Sequence, residues 1–170
     1  MVADGASSRR GESSMRIAAF VVALLTVSSL CLASSSPAVA GTSVEDLFRQ
    51  FDLLGNWAID CELPAAQTNP HVRILISSPG AVLEEHDLGG EFAVNRYSIL
   101  AASRLSPERL SVEVKFKPED GEEQRQKLVL LIRKATRRTM FNQPDGGEVR
   151  VKDGVALAHG VKTPVLRKCR

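Results

Sequence analysis

Three histidines, one tyrosine and a pair of widely separated cysteines are the residues of this chain best suited to act on a ligand. His71, His86 and His159 fall in three different segments, and none is set at a metal-ligand spacing such as HxH or HExxH. They therefore read as surface or loop histidines, and no metal site is expected. Around His86 the stretch "EEHD" supplies Glu84, Glu85 and Asp87, a set capable of acid–base pairing, although its place at a strand end makes a solvated rim the simpler reading. Tyr97 lies in "EFAVNRYSIL" next to Arg96, and neighbours in a strand point to opposite faces. An inward Tyr97 needs a partner for its hydroxyl, either a ligand or a buried polar group. There is no P-loop, no GxGxxG before a helix, no Gly-x-Ser-x-Gly elbow and no triad-like set of Ser, His and Asp. The expectation is thus a non-enzyme without a cofactor. A pocket in which His86 meets Tyr97 or Arg96 would be the sign of an enzyme instead.

Cys61 and Cys169 have neither a CxxC partner nor a nearby histidine in sequence. Their expected role follows from the start of the chain. Arg9, Arg10 and Arg16 precede an apolar run over 17–32, and "SSSPAVA" then sets Ala38 and Ala40 at the spacing read by a signal peptidase, with cleavage before Gly41. The apolar run is short and serine-rich for a membrane span of roughly 20 residues. Residues 1–40 are read as a removed signal peptide whose start lies at Met1 or Met15, and Leu30 before Cys31 is bulkier than a lipobox expects. An exported chain reaches an oxidising compartment, where two remaining cysteines are most simply a disulfide. Closing a loop of about 100 residues contributes up to ~4.7 kcal/mol by loop-closure entropy. The location expected is the periplasm in a Gram-negative bacterium, and otherwise the extracellular medium.

The remaining residues, 41–170, suffice for one domain with one core. The whole chain carries 22 Lys and Arg against 20 Asp and Glu, and the leader removes three bases and two acids, so no global pull toward nucleic acid exists. Arg125, Arg133, Arg137, Arg138 and Arg150 make the later strands basic, but acidic residues interleave with them and a mixed solvated face is expected.

"SVEDLFRQFDLLG" reads as a short amphipathic helix. Ser43 and Asp46 form a capping-box pair, Val44, Leu47, Phe48, Phe51 and Leu54 recur at helical spacing, and Gly55 ends it. From there the period becomes two. In "LSVEVKFK", Leu110, Val112, Val114 and Phe116 share one face while Ser111, Glu113, Lys115 and Lys117 share the other. Similar runs cover 57–62, 71–77, 81–87, 92–105, 124–133, 136–142, 148–152 and 165–168, with turn signals such as "SSPG", "LGGE", "SPER" and "QPDGG" between them. "KLVLLIRK" is apolar on both faces, so a cover over Val129 and Leu131 is expected, supplied by Phe48 and Phe51 of the helix. "DGVALAHGVKTP" reads as a loop. The fold class is all-β, an antiparallel up-and-down barrel of about eight strands with a short N-terminal helix.

A helix followed by Gly55-Asn56-Trp57 at the head of an all-β meander of this length resembles the lipocalins and their calycin relatives. In that family the tryptophan of Gly-x-Trp closes the barrel base beneath a basic side chain near the end of the last strand. The resemblance implies that role for Trp57, under Arg167 or Lys168, and a single lipocalin-like β-barrel domain over 41–170. The family's Thr-Asp-Tyr motif is missing, since Thr136 is followed by Arg137 and Arg138.

The expected function is that of an exported carrier holding a small apolar or amphipathic ligand. Tyr97, Val112, Val114, Phe116, Leu128 and Leu130 are its candidate lining, with Tyr97 as the orienting polar group. The same side chains would fill a closed core if the barrel is packed solid. In that case the rival is a periplasmic interaction module, such as a protease or lysozyme inhibitor or an accessory subunit, which acts through its loops on a protein partner.

Overall fold

A computed structural model describes residues 41–90, 92–118 and 121–170. The expected signal peptide, 1–40, lies outside the described residues. The alternating pattern folds as expected, with β1 (Gly55–Ala58), β2 (His71–Ser78), β3 (Ala81–Asp87), β4 (Asn95–Ser106), β5 (Arg109–Phe116), β6 (Gln124–Arg133) and β7 (Thr136–Pro144) each antiparallel to the next. The last strand, β11 (Leu166–Lys168), inserts between β7 and β1, with Leu166 opposite Arg137 and Lys168 opposite Trp57. This closes an eight-stranded antiparallel barrel.

Between β7 and β11 lie three two-residue strands, β8 (Val151–Lys152) at the end of the expected run 148–152, and β9 (Val155–Ala156) and β10 (Val161–Lys162) within the expected loop. They extend the sheet from the far end of β7, where Asn142 faces Val151. Closure removes every other free edge among the described residues, leaving β10 as the exposed one. Irregularities in register within β4, and between Val129 and Leu130 of β6 against β7, supply the local bends that a closing sheet needs.

The helix α1 (Val44–Gln50) starts with the capping box read from the sequence, in which Ser43 Oγ accepts from the Asp46 amide. It ends earlier than Gly55, because Asp52 adopts φ +53° and breaks the turn. Gly55, at φ +115°, instead opens β1. The expected cover over β6 is not found. The helix packs on β3 and β4 at the base of the barrel, where the Gly80 amide donates to Glu45 Oε2 at 2.9 Å and Arg104 donates to Gln50 Oε1 at 2.7 Å. The Gly80 amide, with Arg49 beside it, holds the Glu45 carboxyl below the ordinary carboxylate range. Phe48 and Leu53 are fully buried and join Trp57, Ile74, Leu110 and Ile132 in one apolar cluster. The reason for the difference is burial: a helix with Leu47, Phe48 and Phe51 on one face removes more apolar surface as the plug of an open end than as a lid on a half-buried outer strand. Val129 and Leu131 stay half-buried on the outside.

Cys61 and Cys169 are joined, with Cα atoms 5.5 Å apart across a sequence separation of 108. Cys61 reaches Cys169 because β1 stops at Ala58 and the chain turns back. Asn69 holds that turn, accepting from the Asp60 amide at 2.9 Å and donating to the Asp60 and Pro64 carbonyls at 3.0 Å. His71 Nε2 lies 2.9 Å from the Leu63 carbonyl, which makes it a loop staple.

Candidate functional site

The barrel is not filled from end to end. Above the plug lies a cavity of about 280 Å³, walled by Val72, Val112, Val114, Leu128, Leu130 and Leu166 and studded with polar side chains. Each wall residue is placed by strand alternation, since the same register that buries Val112 and Val114 points Leu128 and Leu130 inward from the neighbouring strand. At its wider end the cavity shares Tyr97, Gln126, Asn142 and Val151 with an open hollow formed by the β6 start, the β7 end and the β8–β9 excursion.

Five of the six candidate lining residues meet here: Tyr97, Val112, Val114, Leu128 and Leu130. Phe116 does not line the inner cavity. It stacks on Tyr97 with ring centroids 4.7 Å apart and borders the outer hollow. Arg96 points outward to Glu85 at 3.0 Å while Tyr97 points in, on opposite faces as neighbours in a strand must be. His159 is exposed on the β9–β10 loop.

A buried charge cluster sits in the cavity wall. Glu84 accepts from Arg137 through both guanidinium terminal nitrogens, one bond measuring 3.0 Å, and lies 2.6 Å from His86 Nε2. The expected solvated rim is therefore half wrong. Glu84 follows Val82 on the inward face of β3 and is buried, whereas Glu85 and Asp87 face out. Arg137 is likewise no surface base: it faces Ile132 across β6–β7 and is buried. Burial by itself would raise the Glu84 carboxyl, but the Arg137 charge and the His86 hydrogen bond outweigh it and hold Glu84 well below its ordinary value. The Tyr97 hydroxyl is pushed upward, first by burial and then by the nearby Glu84 charge, so it stays a donor at neutral pH. The His86 ring lies 4.8 Å from that of Tyr97.

The tryptophan beneath this cluster is fully buried, with its Nε1 donating to the Leu53 carbonyl at 2.8 Å. Two cations flank its ring, Lys168 Nζ at 5.7 Å and Arg137 Cζ at 5.9 Å, each within the range of a cation–π contact worth roughly 0.5–2 kcal/mol. Of the two bases expected there, Lys168 is the one, tethered to the Asp52 carbonyl at 2.8 Å. Arg167 pairs with Ala58 in register and is exposed, since adjacent residues of β11 face opposite ways.

On the β6–β7 side, Asn142 donates to Gln126 Oε1 at 2.9 Å. Arg138 donates to Thr163 Oγ1 at 3.0 Å and to the Gly154 carbonyl, tying the excursion to the barrel. Asn142 and Gln126 escaped sequence reading, although the period-two rule marks Gln126 through its inward neighbour Leu128, and Arg138, read as part of a solvated basic face, is half-buried by these bonds. Among the described residues no group of three His, Cys, Asp or Glu converges as metal ligands, and no helix is long and apolar enough to cross a membrane. Comparison of the chain with protein-family models, curated proteins and solved structures returned no match.

Proposed function

We propose that this protein is an exported, non-enzymatic carrier that holds one small amphipathic molecule inside a lipocalin-like barrel. The observation that carries the reading is the unfilled interior, because an eight-stranded barrel is narrow enough to be packed solid by its own side chains and here about 280 Å³ is left open. That volume sits just below the usual range for small-molecule sites of roughly 300–1,000 Å³, and the mixture of apolar wall and few convergent polar groups is typical of them. The Cys61–Cys169 bridge supports the exported part of the reading, since such bonds persist in oxidising compartments. Native mass spectrometry of protein recovered from its own host tests the proposal. A retained small molecule, on a chain beginning at Gly41, is the expected result. A bare chain that instead brings down a stoichiometric protein partner would transfer the function to the loops.

A second reading rests on a specific contact, the meeting of His86 with Tyr97 in the same cavity that holds Glu84. Under it, Glu84 orients His86 as a general base. Turnover of a small ester such as p-nitrophenyl acetate that disappears in His86→Asn would establish this reading over the first.

A further inference from the structure

At the barrel's base, the end that the helix plugs, two turns and the last strand lie side by side. The β4–β5 turn touches the β6–β7 turn, where the Ile132 amide donates to the Glu108 carbonyl and Arg133 Nε donates to Glu108 Oε2, both at 2.8 Å. The β6–β7 turn touches β11 in the same way, with Thr136 opposite Arg167 and the Lys168 amide donating to the Ala135 carbonyl at 2.9 Å. Together they form one continuous arc of surface from Leu105 to Arg170.

Unpaired charge along this arc has a single sign. Arg109, Lys134, Arg167 and Arg170 are exposed, and none has a carboxylate partner among the described residues. Alternation sends two of them outward, since Arg109 and Arg167 adjoin the buried Leu110 and Leu166. Glu108 is already taken by Arg133, and Asp52, at the end of the neighbouring helix, by Lys168. Among these cations stands Leu105, 56% exposed, at a register irregularity where β4 ends. The wide end is different. Around the outer hollow Arg125 and Arg150 lie among Glu123, Asp145 and Glu148, so the exposed Leu157 there sits in mixed charge.

Two features choose a partner for the arc. Cations left without counter-charges favour a surface dense in negative charge, because each gains there at little desolvation cost. A soluble polyanion would use the cations alone and offers nothing apolar to Leu105, whereas the boundary between headgroups and acyl chains accepts both. We infer that the base of the barrel docks on an anionic lipid surface, with headgroup phosphates against Arg109, Lys134, Arg167 and Arg170 and with Leu105 in the interfacial layer. The wide end then faces the aqueous side. This docking is independent of what the cavity holds.

The experiment pellets the oxidised protein, purified from its own host, with vesicles of phosphatidylcholine alone or mixed with phosphatidylglycerol. Binding should require phosphatidylglycerol and fall as sodium chloride is raised. Each lost cation should weaken binding about fivefold, so Arg109→Gln/Lys134→Asn/Arg167→Gln should lose on the order of a hundredfold. Asparagine suits the left-handed backbone of Lys134, at φ +54°. Leu105→Ser should weaken vesicle binding about fivefold, since only the exposed part of that side chain can leave water, and Leu157→Ser at the wide end should change nothing. If the triple variant fails to fold, the salt series and Leu105→Ser decide. Binding to phosphatidylcholine alone, or binding that survives the triple substitution, overturns the charged arc as the docking surface. Loss through Leu157→Ser rather than Leu105→Ser places the contact at the wrong end. Competition by soluble polyphosphate together with undiminished vesicle binding by Leu105→Ser replaces the lipid surface by a polyanion. Absence of binding removes this inference and leaves the carrier reading untouched.

Discussion

Removing Arg137 is the most searching perturbation of this fold. Its side chain is 5% exposed and its partner Glu84 11%, so Arg137→Met strands a carboxylate in the barrel wall with only His86 beside it. Breaking a buried pair from one side costs about 3–5 kcal/mol, because the remaining charge keeps its desolvation penalty. A domain of this size has a total stability of roughly 6–20 kcal/mol at the usual per-residue values. The variant should therefore fold, with a melting temperature lower by about 10–20 °C. Removing both charges in Glu84→Leu/Arg137→Met should cost less than the single change, since no uncompensated charge is left.

The pH dependence has a definite sign. In the native protein the Glu84 carboxyl is held below its ordinary value of 4.5, so its stabilising contribution is fully present above that value and is lost as pH falls through the depressed one. In Arg137→Met burial pushes the same carboxyl above its ordinary value, and the destabilisation is relieved on acidification. The gap between the two proteins should thus narrow from pH 7 toward about pH 4. Urea titrations followed by Trp57 fluorescence across that range measure it. A single variant within about 1 kcal/mol of the parent at pH 7, or a gap that does not change with pH, would refute the reasoning.

Three further outcomes are expected. Cys61→Ser/Cys169→Ser should lose up to ~4.7 kcal/mol in urea unfolding, the loop-closure value for a span near 100 residues, and a loss below about 1 kcal/mol would mean that β1–β11 pairing already restricts the unfolded chain. Phe48→Ala, at a fully buried position of the plug, should cost about 3–5 kcal/mol; an unchanged melt would show that the helix is not part of the core. Leu128→Trp, which projects bulk into the cavity, should abolish retention of the small molecule in native mass spectrometry while keeping the far-ultraviolet circular dichroism of the barrel, and undiminished retention would move the site elsewhere.

The strands were legible because their signal is local. Period-two alternation in 110–117 and turn residues between runs depend only on near neighbours, and β2 through β7 lie within a few residues of where the pattern puts them. The disulfide was legible too, because neither cysteine within 41–170 has a CxxC partner or a nearby histidine in sequence, which leaves one pairing. What failed is long-range. Nothing near Phe48 in sequence says which part of the barrel its helix meets, and burial at the open end decided it. Glu84 and Arg137 looked like solvated charges one at a time. Their separation of 53 residues hides a pairing that only barrel closure brings about, although inward Val82 two residues earlier already points Glu84 to the interior. The choice between Arg167 and Lys168 stayed open in the sequence because one residue of register reverses the face, and pairing with β1 decides it.

The seam between β1 and β11 has a bearing on how the molecule comes into being. Seven strands can zip up as successive hairpins while the polypeptide is being synthesised, but the circle stays incomplete until residues 166–168 are free to slot between their neighbours. Partly synthesised molecules must then wait with β1 and β7 unprotected and the Trp57 base uncovered on one side. In that interval a holding factor, or speed of synthesis, matters more to yield than the final stability of the ring.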